Sequence, residues 1–213
     1  MLEMAGCIVT VDALNTQKEI AALIRAKGAD YVLALKGNHA TLQAEVAVVF
    51  EAIKDERTYG YEVEKDRTVD KEHGRIEERQ YWRAQVPAER FSEGAAWRDL
   101  RSVAMVEAIR EEGGKVERKV RYYISSLGVD AARMNQIIRQ HWSIENSCHW
   151  ILDVVFGEDE SRVRVGNAAQ NLALVRKFAL GMLSRERSCK RGVKTKRLKA
   201  ALEIEYLVKV LLN

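Results

Sequence analysis

The chain has 213 residues, 47% hydrophobic and 31% charged, enough for one sizeable core with a small inserted subdomain. One Pro and 13 Gly argue against long disordered linkers, no run reaches the ~18 apolar residues of a membrane helix, and the first residues lack a signal peptide's basic flank and apolar length. The net charge of +4 is unevenly spread: Arg185 to Lys199 holds eight Lys/Arg against one Glu, a net +7, leaving −3 for the rest of the chain. That block suits a polyanion, nucleic acid first. Cys7, Cys148 and Cys189 form no CxxC pair or disulfide framework, so a reducing, cytoplasmic setting is expected.

In chain order, Cys7 to Asp12 is a near-continuous apolar run, as expected of a strand covered on both faces. Thr16 and Glu19 make a capping-box pattern before a helix from Lys18 to Lys27, which Gly28 ends. A second strand, Tyr31 to Leu35, leads through Lys36-Gly37-Asn38 into a helix from about Thr41 to Ile53. This order predicts a parallel strand pair with a right-handed crossover. From about residue 60 to 126 the pattern becomes antiparallel. Arg75, Glu77, Arg79, Tyr81 and Arg83 share one strand face, and Ile76, Trp82, Ala84 and Val86 fall on the other. Leu100 to Ile109 and Val116 to Ile124 are joined across Glu112-Gly113-Gly114-Lys115, a hairpin signal. A long helix is expected from Asp130, a natural N-cap, to about Val155, then helices near Ala168 to Ser184 and Leu198 to Leu211. The expected segments are 1–58 (βαβα), 59–127 (β insertion), 128–184 (two helices) and 185–213 (basic segment and last helix).

On a wheel of about 100° per residue with Met134 at zero, Glu145 falls near 20°, inside a stripe with Ile138, His141, Cys148 and Leu152. Glu145 is therefore expected on the buried face. A carboxylate there costs several kcal/mol unless it is paired, protonated or metal-bound. Two readings stay open: a core Glu satisfied by an Arg, or a site. Asp12 ends a buried strand, where open α/β sheets place ligands, although such an Asp also commonly caps the next helix. Two such carboxylates could hold Mg²⁺ or Mn²⁺, and a two-ion site would drive in-line phosphoryl displacement. Lys36 ends the neighbouring strand on the same edge, as a phosphate contact or a plain solvated lysine.

Seven stretches then occur in a recognisable order. They are Thr10-Val11-Asp12-Ala13, Tyr31 to Asn38, His73-Gly74-Arg75-Ile76-Glu77, Arg121 to Ser126, His141-Trp142-Ser143-Ile144-Glu145-Asn146, Glu158 to Arg162, and Lys190-Arg191-Gly192-Val193-Lys194. Together they closely resemble the H-repeat-associated (ISAs-type) insertion-sequence transposases of the DDE class. The resemblance covers nearly the whole chain, and Trp-x-Ile-Glu is its most specific part. It implies a ribonuclease-H-like α/β fold with an antiparallel β insertion and C-terminal helices. Asp12 would be the second acid of the triad and Glu145 the third, with two Mg²⁺ or Mn²⁺ ions in the complete enzyme.

Where relatives of this class carry Tyr-x-x-Arg and a Lys after the Glu, this chain has Ile138, His141 and Leu152. Only 11 residues precede Asp12 and a helix follows it, so by the resemblance the opening strands and the first acid are expected to be missing. The expectation is a partial ribonuclease-H-like domain with weak metal binding, little or no cleavage alone, and an open sheet edge prone to self-association.

The DNA candidates are Lys36, Asn38, Arg75, Arg79, His141, Trp142, Lys190, Arg191, Lys194, Lys196 and Arg197. Each has a bland counterpart. The Arg75 to Arg83 face is equally a salt-laced strand, Trp142 a packing residue, and the basic block a soluble surface. His141, Glu145 and His149 have the spacing of a zinc site as a further alternative. The leading function is the C-terminal catalytic portion of a DDE transposase, cutting and joining DNA in the complete enzyme. The alternatives are a non-catalytic DNA-binding remnant or an unrelated metal-dependent nuclease.

Overall fold

The structure, a computed structural model, describes residues 3–72, 75–128 and 130–212, with backbone alone at 71, 72 and 75. His73 and Gly74 of the third motif lie outside the described residues. Close contacts divide the chain into two compact units, Met1–His141 and Trp142–Asn213.

In the first unit, β1 (Ile8–Val11) and β2 (Asp30–Leu35) pair in parallel, with Val11 opposite Leu33. The crossover is α1 (Lys18–Ala26), as the apolar runs predict. Gly28 follows α1 at φ +71°, the left-handed conformation that ends a helix at no steric cost to glycine. The capping box does not form. Gln17 is the N-cap, without a side-chain bond, because the Thr16 hydroxyl is turned to the carbonyls of Asp12 (3.0 Å) and Ala34 (2.8 Å).

After α2 (Ala40–Lys54) come β3 (Glu62–Glu72), β4 (Arg75–Gln85), β5 (Ser102–Glu112) and β6 (Lys115–Ser125), an antiparallel meander. The β5–β6 turn places Gly113 and Gly114 at φ +57° and +76°, with Glu112 opposite Lys115, the two-residue hairpin the sequence announces. β6 also pairs antiparallel with β2, so all strands share one mixed sheet, ordered β1-β2-β6-β5-β4-β3. The insertion therefore continues the core sheet.

Strand alternation sends Tyr31, Leu33, Trp82, Ala84, Val103, Met105 and Ile124 to one face, where they pack with Leu42, Val46 and Phe50 of α2 and Ala21 and Ile24 of α1. The other face buries Val32, Tyr81, Ala104, Val106 and Tyr123 under α3 (Ala131–Ile144). Met134, Ile137 and Ile138 supply its apolar stripe, each worth about 1.5–3 kcal/mol by burial. Asp130 caps α3 by accepting from the Arg133 amide at 2.7 Å, as expected. A polar seam along β3 fixes its seat. Glu64 accepts from the Ala131 amide (2.7 Å), Asp66 from Asn135 Nδ2 (2.6 Å), and Asp70 meets Arg139 (3.5 Å).

In the second unit, the helical run continues past Ile144 as a π-helical segment, Glu145–His149, and then α4 (Trp150–Val154). α5 (Ala168–Arg185) follows, and the single expected last helix is two, α6 (Val193–Leu202) and α7 (Ile204–Leu211). Leu183, Tyr206 and Val210 form the unit's small core. No helix among the described residues is long and apolar enough to cross a membrane.

Candidate functional site

Asp12 follows β1 directly and opens a tight loop. Its Oδ1 accepts from the backbone amide (3.1 Å) and side-chain amide (2.8 Å) of Asn15, while Oδ2 has no partner among the described residues. Asp12 is exposed, so the carboxylate needs no buried counter-charge. The side chain of Thr16 and two from the segment after β2 hold the loop. Thr16, fully buried, bridges the Asp12 and Ala34 carbonyls; His39 Nε2 donates to the Thr16 carbonyl at 2.6 Å; Asn38 Nδ2 donates to the Ala13 carbonyl at 2.7 Å. The His39 ring meets Trp97 edge-on at 5.1 Å, and Trp97 is itself 1% exposed. Thr16 and His39 were missed as site-shaping residues. The available signal was the position of Gly37-Asn38-His39 just beyond a parallel strand end.

Glu145 corrects the wheel. Its side chain is 54% exposed, against the expected burial. The apolar stripe of α3 stops being buried at Ile138, and a π segment begins at Glu145, breaking the 100° progression on which the wheel depends. Glu145 Oε2 lies 3.4 Å from His149 Nδ1, and no Lys or Arg pairs with it among the described residues. Its surroundings in the second unit are acidic. The Asp153 carboxyl is pushed above its ordinary range by partial burial first, then by Asp159 and Glu158, with a smaller push from Glu145.

The remaining candidates divide. Lys36 is exposed at the end of β2. Asn38 is spent on Ala13. His141 Nδ1 lies 3.0 Å from Thr10 Oγ1 on β1, and Trp142 is 38% exposed. The basic face of β4 is the salt-laced strand of the bland reading: Arg79 bridges Asp70 (2.8 Å) and Glu77 (2.6 Å), while Arg83 and Tyr81 are buried because α3 covers that face. The Arg75 side chain lies outside the described residues.

In the basic block, Lys190, Arg191 and Lys194 are exposed. Lys196 is turned inward, its Nζ donating to the carbonyls of Leu183 (3.0 Å) and Glu186. Arg197 donates to the Val155 carbonyl and lies over the Phe156 ring. Glu186 is buried under Lys196. Bonds from Ser188 and from Tyr206 Oη (2.6 Å) hold its carboxyl down at about 2. That cluster was not anticipated, since its members come together only when α5, α6 and α7 pack.

Among the described residues no three His, Cys, Asp or Glu side chains gather as a metal cluster, so the His141–Glu145–His149 spacing does not assemble a zinc site. Asp12 and Glu145 still suit a hard divalent cation in kind: oxygen donors, solvent-accessible, unpaired with Lys or Arg.

Residues 1–182 match the transposase DDE domain, and the chain belongs to that family. It is 35% identical to the H repeat-associated putative transposase YhhI and to the putative protein YbfL of Escherichia coli K12, in each case over 99% of this chain and 56% of theirs. It is 37% identical to the putative transposase YncI of Escherichia coli O157:H7, over 99% of this chain and 54% of that one. The chain thus spans about half the length of these relatives. No solved structure matches it.

Proposed function

We propose that this chain is the catalytic-domain portion of a DDE transposase acting on DNA, with Asp12 and Glu145 as the carboxylates that hold Mg²⁺ or Mn²⁺. The observation that carries the reading is Asp12: an exposed carboxylate with one free oxygen, at the end of a parallel strand, on a loop fixed by its own Thr16 and by Asn38 and His39 from the neighbouring segment. Its place matches where open α/β sheets bind ligands. Glu145 opens a π segment, a local irregularity common at functional sites. The mixed sheet with α1 and α2 on one face and α3 on the other is consistent with a ribonuclease-H-like core.

A bound divalent ion would activate a water or hydroxyl and offset charge at the phosphoryl group. The protein's own part is to present oxygen ligands and to place DNA. Lys36 is suited to a phosphate at the Asp12 edge, and Lys190, Arg191 and Lys194 to the DNA backbone. These are water-facing functions, and the cytoplasm is the expected location.

Mn²⁺ binding tests the acids. Asp12→Asn and Glu145→Gln should each weaken it in electron paramagnetic resonance titrations of the purified chain; undiminished binding in both variants would falsify the assignment. Metal-dependent nicking of duplex DNA, lost in the same variants, would establish catalysis by the chain itself.

A non-catalytic DNA-binding role is favoured by one observation, that the basic block with Lys190, Arg191 and Lys194 belongs to the second unit while Asp12 belongs to the first. Salt-sensitive DNA binding without nicking in Mg²⁺ or Mn²⁺ would support it.

Self-association through β1 belongs to the same proposal. β1 is an edge strand reading Ile-Val-Thr-Val without a charge, whereas eight of the eleven residues of the opposite edge, β3, are charged.

A further inference from the structure

We propose that Asn38 is a positioning residue for Asp12 and acts as a latch on its loop. The inference rests on the reading of Asp12 as a metal-holding acid. Asn38 is exposed, where an amide ordinarily bonds water, yet its Nδ2 donates to the Ala13 carbonyl at 2.7 Å, one residue from Asp12 and 25 residues away in sequence.

The bond joins the exits of two parallel strands. Val11 and Leu33 are in register, so the segments leaving β1 and β2 emerge side by side, and the side chains of the second restrain the backbone of the first. Thr16 ties the same loop to Ala34 at 2.8 Å, and His39 ties it at the Thr16 carbonyl at 2.6 Å. Within the loop, Asn15 clamps Oδ1 of Asp12, which leaves Oδ2 as the presented oxygen. Two bonds donated onto the turn by Asn38 and His39, with one returned from the buried Thr16 hydroxyl to Ala34, exceed what capping α1 requires, since its N-cap, Gln17, uses no side-chain bond. Their effect is to fix where the Asp12 carboxylate stands before any ion arrives, which is how a ligand is held to the sub-ångström tolerance that metal geometry needs.

Asn38 is the member of the set that can be changed without opening the core, because Thr16 is fully buried and His39 packs on Trp97. The test uses the whole 213-residue chain with Mn²⁺ as the probe. The variants are Asn38→Ala, Asn38→Asp (same shape, no donor) and Asp12→Asn. Asn38→Ala and Asn38→Asp should each weaken Mn²⁺ binding about tenfold. They should also speed hydrogen exchange of the Asn15 and Thr16 amides about tenfold in metal-free protein, with the melting temperature unchanged within about 2 °C. Normal Mn²⁺ affinity in both Asn38 variants, with Asp12→Asn impaired, overturns the latch and leaves the Asp12 reading intact. Normal affinity in Asp12→Asn overturns that reading and the latch with it. Unchanged exchange, together with weaker DNA binding at an unchanged salt slope in Asn38→Ala, makes Asn38 a neutral DNA contact instead.

Discussion

Lys194 and Lys196 are two residues apart on α6, the first exposed and the second buried with its ammonium on the carbonyls of Leu183 and Glu186. Lys196→Ala should destabilise the protein by about 2–3 kcal/mol in urea melts, by stripping two buried acceptors of their donor. Lys194→Ala should change stability by less than about 0.5 kcal/mol and lower the salt slope of DNA binding by about one unit. Glu186 gives this cluster a pH dependence. Its folded-state value of about 2 lies below the ordinary 4.5, so its contribution is complete above about pH 4.5 and disappears as pH falls toward 2. Chemical melts between pH 5 and 2.5 should show that loss, and Glu186→Gln should flatten it. None of this was legible in the sequence, where Lys196 is one more cation in a basic block. Its orientation depends on the end of α5, which sequence spacing does not fix. Glu145 failed for the opposite reason: the wheel was read correctly, but the helix changes period at that residue.

Elements whose signals are local came through. β1, β2, α1, α2 and the Gly113-Gly114 hairpin follow from apolar runs and turn chemistry within a few residues, and the structure has them all. β3 carries eight charges and shows a strand pattern only once its cross-strand partners are known, such as Arg67 with Glu78 at 2.9 Å. The Thr16 capping box failed because a tertiary partner, the Ala34 carbonyl, took the hydroxyl. Two predictions belong here. Gly94 lies so close to another turn that an added Cβ would stand 1.8 Å from the Ala88 carbonyl oxygen, so Gly94→Ala should cost about 3 kcal/mol of stability. Removing Ser147 from the π segment should restore an α ladder with unchanged far-UV helicity. Because five π residues turn through about the same angle as four α residues, Leu152, now 2% exposed, should keep its seat and the melting temperature should hold or rise.

Across the whole molecule, the two proposed associations answer differently to salt. DNA binding through Lys190, Arg191 and Lys194 releases counterions, so its logarithmic affinity should fall by about 0.9 per phosphate contacted for each decade of salt. Pairing through the uncharged edge of β1 should hold or strengthen as salt rises. Sedimentation and DNA titration of one preparation, at 50 and 500 mM salt, separate the two. Loss of both signals together at high salt would remove the edge as the route of association.

The order of strands has a consequence for how the chain reaches this state. β3 to β6 are neighbours in sequence as well as in the sheet, so each pairing closes a short loop, whereas β2 joins β6 across about ninety residues. Contacts of such separation form late and slowly. The four-stranded meander should therefore assemble first, with β1 and β2 docking onto β6 in the slow phase. On that ordering, the loop that presents Asp12 takes its shape at the end of folding. Substitutions in β2 should then speed unfolding more than they slow refolding in stopped-flow experiments, while those in the β5–β6 hairpin do the reverse.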